Sequence, residues 1–155
     1  MKKCISLCLC IALLLCMLPC ATFATGASVQ PHTTVIQFEE GSYCITTIIQ
    51  EEILPSSRGT AQTKTGTREM KVYNANNVLQ LTLRIRGTFT YDGTTATATS
   101  AQYSYTISQE SWKFVSANAS RNGATATVVG TFRNSGSYNR TFTVSLTCSP
   151  TGVLS

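Results

Sequence analysis

Val78-Leu79-Gln80-Leu81-Thr82-Leu83-Arg84-Ile85-Arg86-Gly87-Thr88-Phe89-Thr90-Tyr91 decides the fold. Leu79, Leu81, Leu83, Ile85, Phe89 and Tyr91 take alternate positions, with Gly87 in the one gap. Gln80, Thr82, Arg84, Arg86, Thr88 and Thr90 take the positions between. Successive side chains of a strand point to opposite faces, so this period of two predicts a strand with one buried and one wet face. A helix would scatter the same residues around its axis.

The pattern extends in both directions. Met70 and Val72 alternate upstream, and Asn74, Asn76 and Asn77 supply a turn before the long strand. Earlier still, residues 34–38 and 43–54 are apolar stretches separated by the turn-like Glu39-Glu40-Gly41-Ser42. Residues 55–66, rich in Ser, Thr, Gly and Arg, read as an exposed loop or a weak edge strand. Downstream, Asp92-Gly93 predicts a tight hairpin with Tyr91 opposite Thr94 and Phe89 opposite Ala96. Asn122-Gly123 predicts a second, with Ala119 opposite Ala126 and Ala117 opposite Val128. Apolar parity shifts from Ala96 and Ala98 to Tyr103, Tyr105 and Ile107, which requires one extra residue, a bulge, near 100–102. In the last strand, 140–148, Phe142, Val144, Leu146 and Cys148 share a face. A wide loop through 134–139 then sets Phe132 opposite Phe142 and Val128 opposite Leu146. Seven to nine short strands with frequent turn signals predict an all-β fold. We read it as an antiparallel β-sandwich of immunoglobulin-like, Greek-key or meander topology, with a barrel as the alternative.

Composition agrees. The chain has 155 residues, of which 25 are Thr and only 12% are charged, against roughly 25% in ordinary globular proteins. β-Branched side chains fit a pleated surface. High apolar content with little net charge excludes wholesale disorder, and a formal charge of +5 excludes nucleic-acid binding driven by bulk charge.

The first residues have the layout of a secretory signal peptide: Lys2 and Lys3, an apolar run over 4–18, Pro19, then small residues. The run falls short of the roughly 20 residues a membrane-spanning helix needs, although a membrane anchor is the competing reading. Cleavage is expected after Ala24, with Gly26 or Ala27 as alternatives. This divides the chain into a signal peptide (1–24), a flexible leader (25–33) and one all-β domain (34–155). Cys4, Cys8, Cys10, Cys16 and Cys20 go with the signal peptide and are no evidence for a metal cluster. No small residue precedes Cys16 or Cys20, so a lipid-modified cysteine is not indicated.

Cys44 and Cys148 are the cysteines left in the domain. Export favours their oxidation, and a bridge would close a loop of about 100 residues. The competing reading is two buried thiols that never meet. Trp112 lies far beyond Cys44, so the immunoglobulin signature of a Trp packed on the bridge is absent. His32, the sole histidine, sits beside Pro31 in the leader with nothing to lock it as a catalytic base. No zinc, phosphate-loop or nucleophile-elbow motif occurs, and no cofactor is indicated. Carboxylates remain: Glu39-Glu40, Glu51-Glu52, Glu69 and Glu110. Glycosidases need two facing each other across a cleft, and adjacent strand residues point apart, so Glu51, Glu69 and Glu110 are candidates only if the fold converges them. Arg84 and Arg86 share a wet face, as an anion-binding stripe or as charges that protect a sheet from aggregation. Tyr103, Tyr105 and Trp112, with Phe114, serve either as core or as platforms for a sugar ring or a partner protein. Asn118 and Asn139 each head a glycosylation tripeptide, relevant only in a eukaryotic secretory route.

The stretches Gly87-Thr88-Phe89-Thr90-Tyr91-Asp92-Gly93-Thr94, Ser111-Trp112-Lys113 and Val144-Ser145-Leu146-Thr147-Cys148-Ser149-Pro150-Thr151-Gly152-Val153-Leu154-Ser155 resemble a family of small secreted Firmicutes proteins that carries a domain of unknown function. The resemblance implies an exported protein of a Gram-positive bacterium and no particular activity, ligand or catalytic residue. Three expectations follow. The first is a secreted, non-enzymatic module that binds a cell-envelope polymer, a glycan or another protein, with no nucleic acid and no membrane once the signal is removed. The second is a small hydrolase with a carboxylate site, and the third an assembly subunit that pairs through its edge strands.

Overall fold

The computed structural model describes residues 33–51, 61–136 and 138–155. The signal peptide, His32 and nearly all of the expected leader lie outside the described residues. Eight strands follow in order: β1 (Thr33–Gln37), β2 (Tyr43–Gln50), β3 (Gln62–Tyr73), β4 (Leu79–Tyr91), β5 (Ala96–Ile107), β6 (Trp112–Asn122), β7 (Thr125–Asn134) and β8 (Asn139–Thr147). They form two antiparallel sheets with neighbours in sequence order, β1-β2-β3-β4-β5 and β6-β7-β8. The fold is therefore a β-sandwich of two meanders, with no Greek-key crossing among the described residues. The smaller sheet lies over β3, β4 and β5, while β1 and β2 extend beyond it.

The alternation in β4 does what its period demands. Leu81, Leu83, Ile85 and Phe89 are fully buried between the sheets. They meet Ala126, Val128 and Phe132 of β7 and Val144 and Leu146 of β8 in a single core. Gly87 is the gap because the Phe89 ring occupies its place: a Cβ there would lie 2.6 Å from Phe89 Cζ. Gly130 likewise lets β7 approach Leu83 of β4.

Several local expectations are corrected. Residues 62–66 are no loop; they belong to β3 and pair with β4. Gly66 alone of them also pairs with β2, so, among the described residues, 62–65 form an edge, the second of the two expected readings. The loop reading failed because the inward positions carry Lys64, Gly66 and Arg68 in place of apolar side chains. Lys64 donates to the Gly152 carbonyl (2.7 Å) and Arg68 to the Ser145 carbonyl (2.9 Å), so these two cations tie the sheets by hydrogen bonds. Thr33, expected in the leader, is already in β1. The Asp92-Gly93 loop has four residues, setting Tyr91 opposite Ala96 and Phe89 opposite Ala98. Asp92 Oδ1 accepts the Thr94 and Thr95 amides and holds that wider turn. The next hairpin turns on Gly123 (φ 53°) and Ala124, so Ala119 faces Val128 and Ala117 faces Gly130. Between β7 and β8, Val128 faces Val144, Gly130 faces Phe142 and Phe132 faces Arg140. Each true register differs from the expected one by two residues in the pair sum, so every apolar side chain still reaches the core face. The bulge in β5 falls at Thr99, one residue before the expected span.

The expected disulfide is also corrected. Cys44 and Cys148 are both buried and both free. Cys44 pairs with Val72 near one end of β3, whereas Cys148 senses the charge of Lys64 near the other end. Eight residues of strand separate those positions, roughly 26 Å at ~3.3 Å per residue, far beyond the ~7 Å a bridge tolerates.

Candidate functional site

In a meander, every second hairpin turn falls at the same end of the sheet. The β1–β2, β3–β4, β5–β6 and β7–β8 turns therefore gather at one end of the sandwich, and they surround a cavity of about 280 Å³. Gly41, at φ 77°, closes the β1–β2 turn and brings it against Ala75 of the β3–β4 turn. Trp112, at the start of β6, lines the cavity, with its indole N–H donating to Gln80 Oε1 at 3.1 Å. Gln80 is spent on both sides, since its amide also donates to the Val78 carbonyl. Two asparagines are half-spent. Asn74 Oδ1 accepts the amides of Asn76 and Val78, and Asn134 Oδ1 accepts Gly136 N–H and Ser135 Oγ–H. Those donors fix which amide atom is oxygen, so each NH2 group remains for the cavity.

The charged wall is the ion pair Arg140–Glu40. Ser42 Oγ–H donates to Glu40 (2.9 Å), and Arg140 also reaches Ser42. Ser42's hydroxyl and the guanidinium hold the Glu40 carboxyl below its ordinary range. Beyond the pair lies a second concavity of about 220 Å³, lined by Phe38, Thr141 and Phe142 as well as Glu40 and Arg140. The Phe38 and Phe142 rings meet edge-on at 6.5 Å. A third cavity, at the opposite end, is lined by Gln62, Tyr91, Asp92, Gly93, Pro150 and Thr151.

Of the aromatics and carboxylates singled out from sequence, Trp112 and Glu40 line this cleft. Arg84 and Arg86 do lie on the wet face of β4, but they form no open anion-binding stripe. Arg84 Nε donates to Glu69 at 2.6 Å, and Lys71 reaches the same carboxylate at 3.0 Å. Burial pushes the Glu69 carboxyl up, but hydrogen bonds from Lys71 and Arg84 outweigh it and leave the group below its ordinary range. Arg86 grips Glu51 with two bonds, 2.8 and 2.6 Å, and these lower the Glu51 carboxyl too. Glu69 and Arg84 sit opposite each other on adjacent β3 and β4. Glu51, just past the end of β2, reaches Arg86 of β4 across β3, so the sheet neutralises its own arginines. Glu51 and Glu69 are thereby committed, Glu110 is exposed in the β5–β6 turn, and each of the three cavities holds a single carboxylate. Tyr103 and Tyr105 sit on β5 opposite Ile85 and Leu83, and both stay exposed, at 40% and 39%. Tyr105 stacks flat on Phe114 (4.3 Å, 4°) and meets Phe132 edge-on. No group of three or more potential metal ligands occurs among the described residues.

Asn74, Asn76, Asn134 and Arg140 went unrecognised as a site because their sequence reading was turn or strand start, and Glu40 was noted only as one of an acidic pair. Nothing local signals that positions as far apart as 42 and 140 will meet. An all-β sandwich with a small cleft at its turn end is the class this arrangement defines. No protein-family model, curated protein or solved structure matches the chain.

Proposed function

We propose that the protein is a secreted, non-enzymatic binding module whose ligand sits in the cleft between the four turns. The observation that carries this reading is the concentration there of unspent amide donors, an exchangeable ion pair and an aromatic wall, the mixture that gives small-ligand sites their orientation and specificity. The signal-like amino terminus and the resemblance to small secreted Firmicutes proteins support an extracellular setting, where envelope polymers, glycans and peptides are the available partners. Trp112 is the sole tryptophan, so intrinsic fluorescence reports on the cleft directly. Titration with peptidoglycan fragments, wall polymers, oligosaccharides and short peptides is expected to shift Trp112 emission for at least one class. Asn76→Ala, which removes a cleft side chain that makes no hydrogen bond of its own, should weaken that response. Emission unchanged throughout the panel would reject the cleft as the functional site.

A second reading, edge pairing with a partner chain, is favoured by β1. Among the described residues this uncharged five-residue strand is the edge of its sheet, and it exposes Val35 and Ile36 on opposite faces. Apolar edge strands of this kind recruit further strands. Sedimentation would decide it: Val35→Lys should dissociate an assembly built on that edge.

A further inference from the structure

Resting on the cleft reading, we propose that the ligand is a peptide carboxyl terminus, whose carboxylate takes the place of Glu40 on Arg140. Three features converge. Arg140 is paired across the cleft wall by a carboxylate from an exposed turn, which shows the geometry such a group adopts there and leaves the pair open to exchange with solvent. Planar guanidinium groups recognise carboxylates through paired, charge-assisted hydrogen bonds. On one side of Arg140 the free NH2 groups of Asn74 and Asn134 are donors without partners, matching the carbonyl oxygens of a peptide backbone. On the other side Phe38 and Phe142 line the second concavity, which suits the apolar side chain of a terminal residue. Glu40 and Arg140 line both concavities, so the ion pair forms the wall the two share.

The exchange makes Glu40 a competitor of the ligand, and Glu40→Gln separates the two. The glutamine keeps the acceptor that Ser42 uses but removes the charge. The probe is N-acetyl-Gly-Gly-Leu, read by Trp112 fluorescence and by calorimetry on the full mature chain. The tripeptide is expected to bind, its C-terminal amide to bind at least roughly tenfold more weakly, and Arg140→Gln to lose binding by a similar factor. Glu40→Gln should tighten the acid by roughly two- to fivefold, the range set by release of an exposed ion pair, and leave the amide unchanged. Equal affinities for acid and amide, or weaker binding of the acid to Glu40→Gln, would overturn the proposal while leaving the cleft a binding site. A galacturonate trimer that binds while the tripeptide does not would overturn the peptide assignment. Silence of Trp112 towards the whole panel defeats the cleft reading itself. Unchanged thermal midpoints of both variants exclude misfolding as the cause of any loss.

Discussion

Gly87→Ala tests how β4 packs. A Cβ at this position would stand 2.6 and 2.7 Å from two carbons of the Phe89 ring and 3.1 Å from the Ala126 Cβ. Cβ contacts of 2.6 and 2.7 Å are shorter than real ones, so something must move, and Phe89 is fully buried in the core. Overpacking of this kind costs about 1–3 kcal/mol. Relief of glycine's backbone entropy returns about 0.5–1 kcal/mol. We expect a net loss of about 2 kcal/mol, or a fall in thermal midpoint of roughly 6–10 °C for a domain of this size. Shortening the ring should abolish the clash. Phe89→Leu alone should cost about 1–1.5 kcal/mol, and Gly87→Ala added to it almost nothing further. The double-mutant cycle, run by urea denaturation, is then expected to show a coupling of about 1.5–2 kcal/mol. Additive effects within about 0.5 kcal/mol would mean that Phe89 does not fill the Gly87 position.

Glu69→Gln should lower stability by about 1–2 kcal/mol at pH 7, between the values for exposed and fully buried pairs, because Glu69 is buried and Arg84 is half-buried. The folded carboxyl lies below its ordinary value of 4.5. Its contribution is thus complete above about pH 4.5 and is lost as pH falls through the folded value. Wild type and variant should converge in acid denaturation profiles, and a gap that widens towards low pH would contradict the pairing. Burial raises both thiols, Cys44 and Cys148. Unfolded, unreduced protein comprising residues 25–155 should titrate two thiols, Cys44 and Cys148, that a thiol reagent reaches slowly in the native state, and dithiothreitol should leave the thermal midpoint unchanged. A chain without titratable thiols would restore the bridge.

Which side chains are buried was legible from local pattern alone. Strand parity is set one residue at a time, so Leu81, Leu83, Ile85, Phe89, Phe142, Val144 and Leu146 could be assigned to the core without knowing their partners. The bulge followed by the same logic, because a change of parity inside a strand admits few other causes. Partners and registers were not legible, since they depend on turn length. Asp92 can close a two-residue or a four-residue loop, and its side-chain bonds to Thr94 and Thr95 choose the longer one only once the strands are paired. Residues 62–66 were misread for a related reason: Lys64 and Arg68 satisfy themselves on carbonyls more than 75 positions away.

The sequence by itself determined an all-β chain, the inward face of its best strands and the turns between them, because these follow from short-range sterics and a period of two. Tertiary structure alone decided that Arg84 and Arg86 are neutralised by Glu69 and Glu51, that Cys44 and Cys148 stand at opposite ends, and that Arg140, Glu40, Asn74, Asn134 and Trp112 enclose one cleft. Each of those outcomes depends on which strands become neighbours and which turns share an end. Distance along the chain carries no information about that until the meanders have formed and stacked.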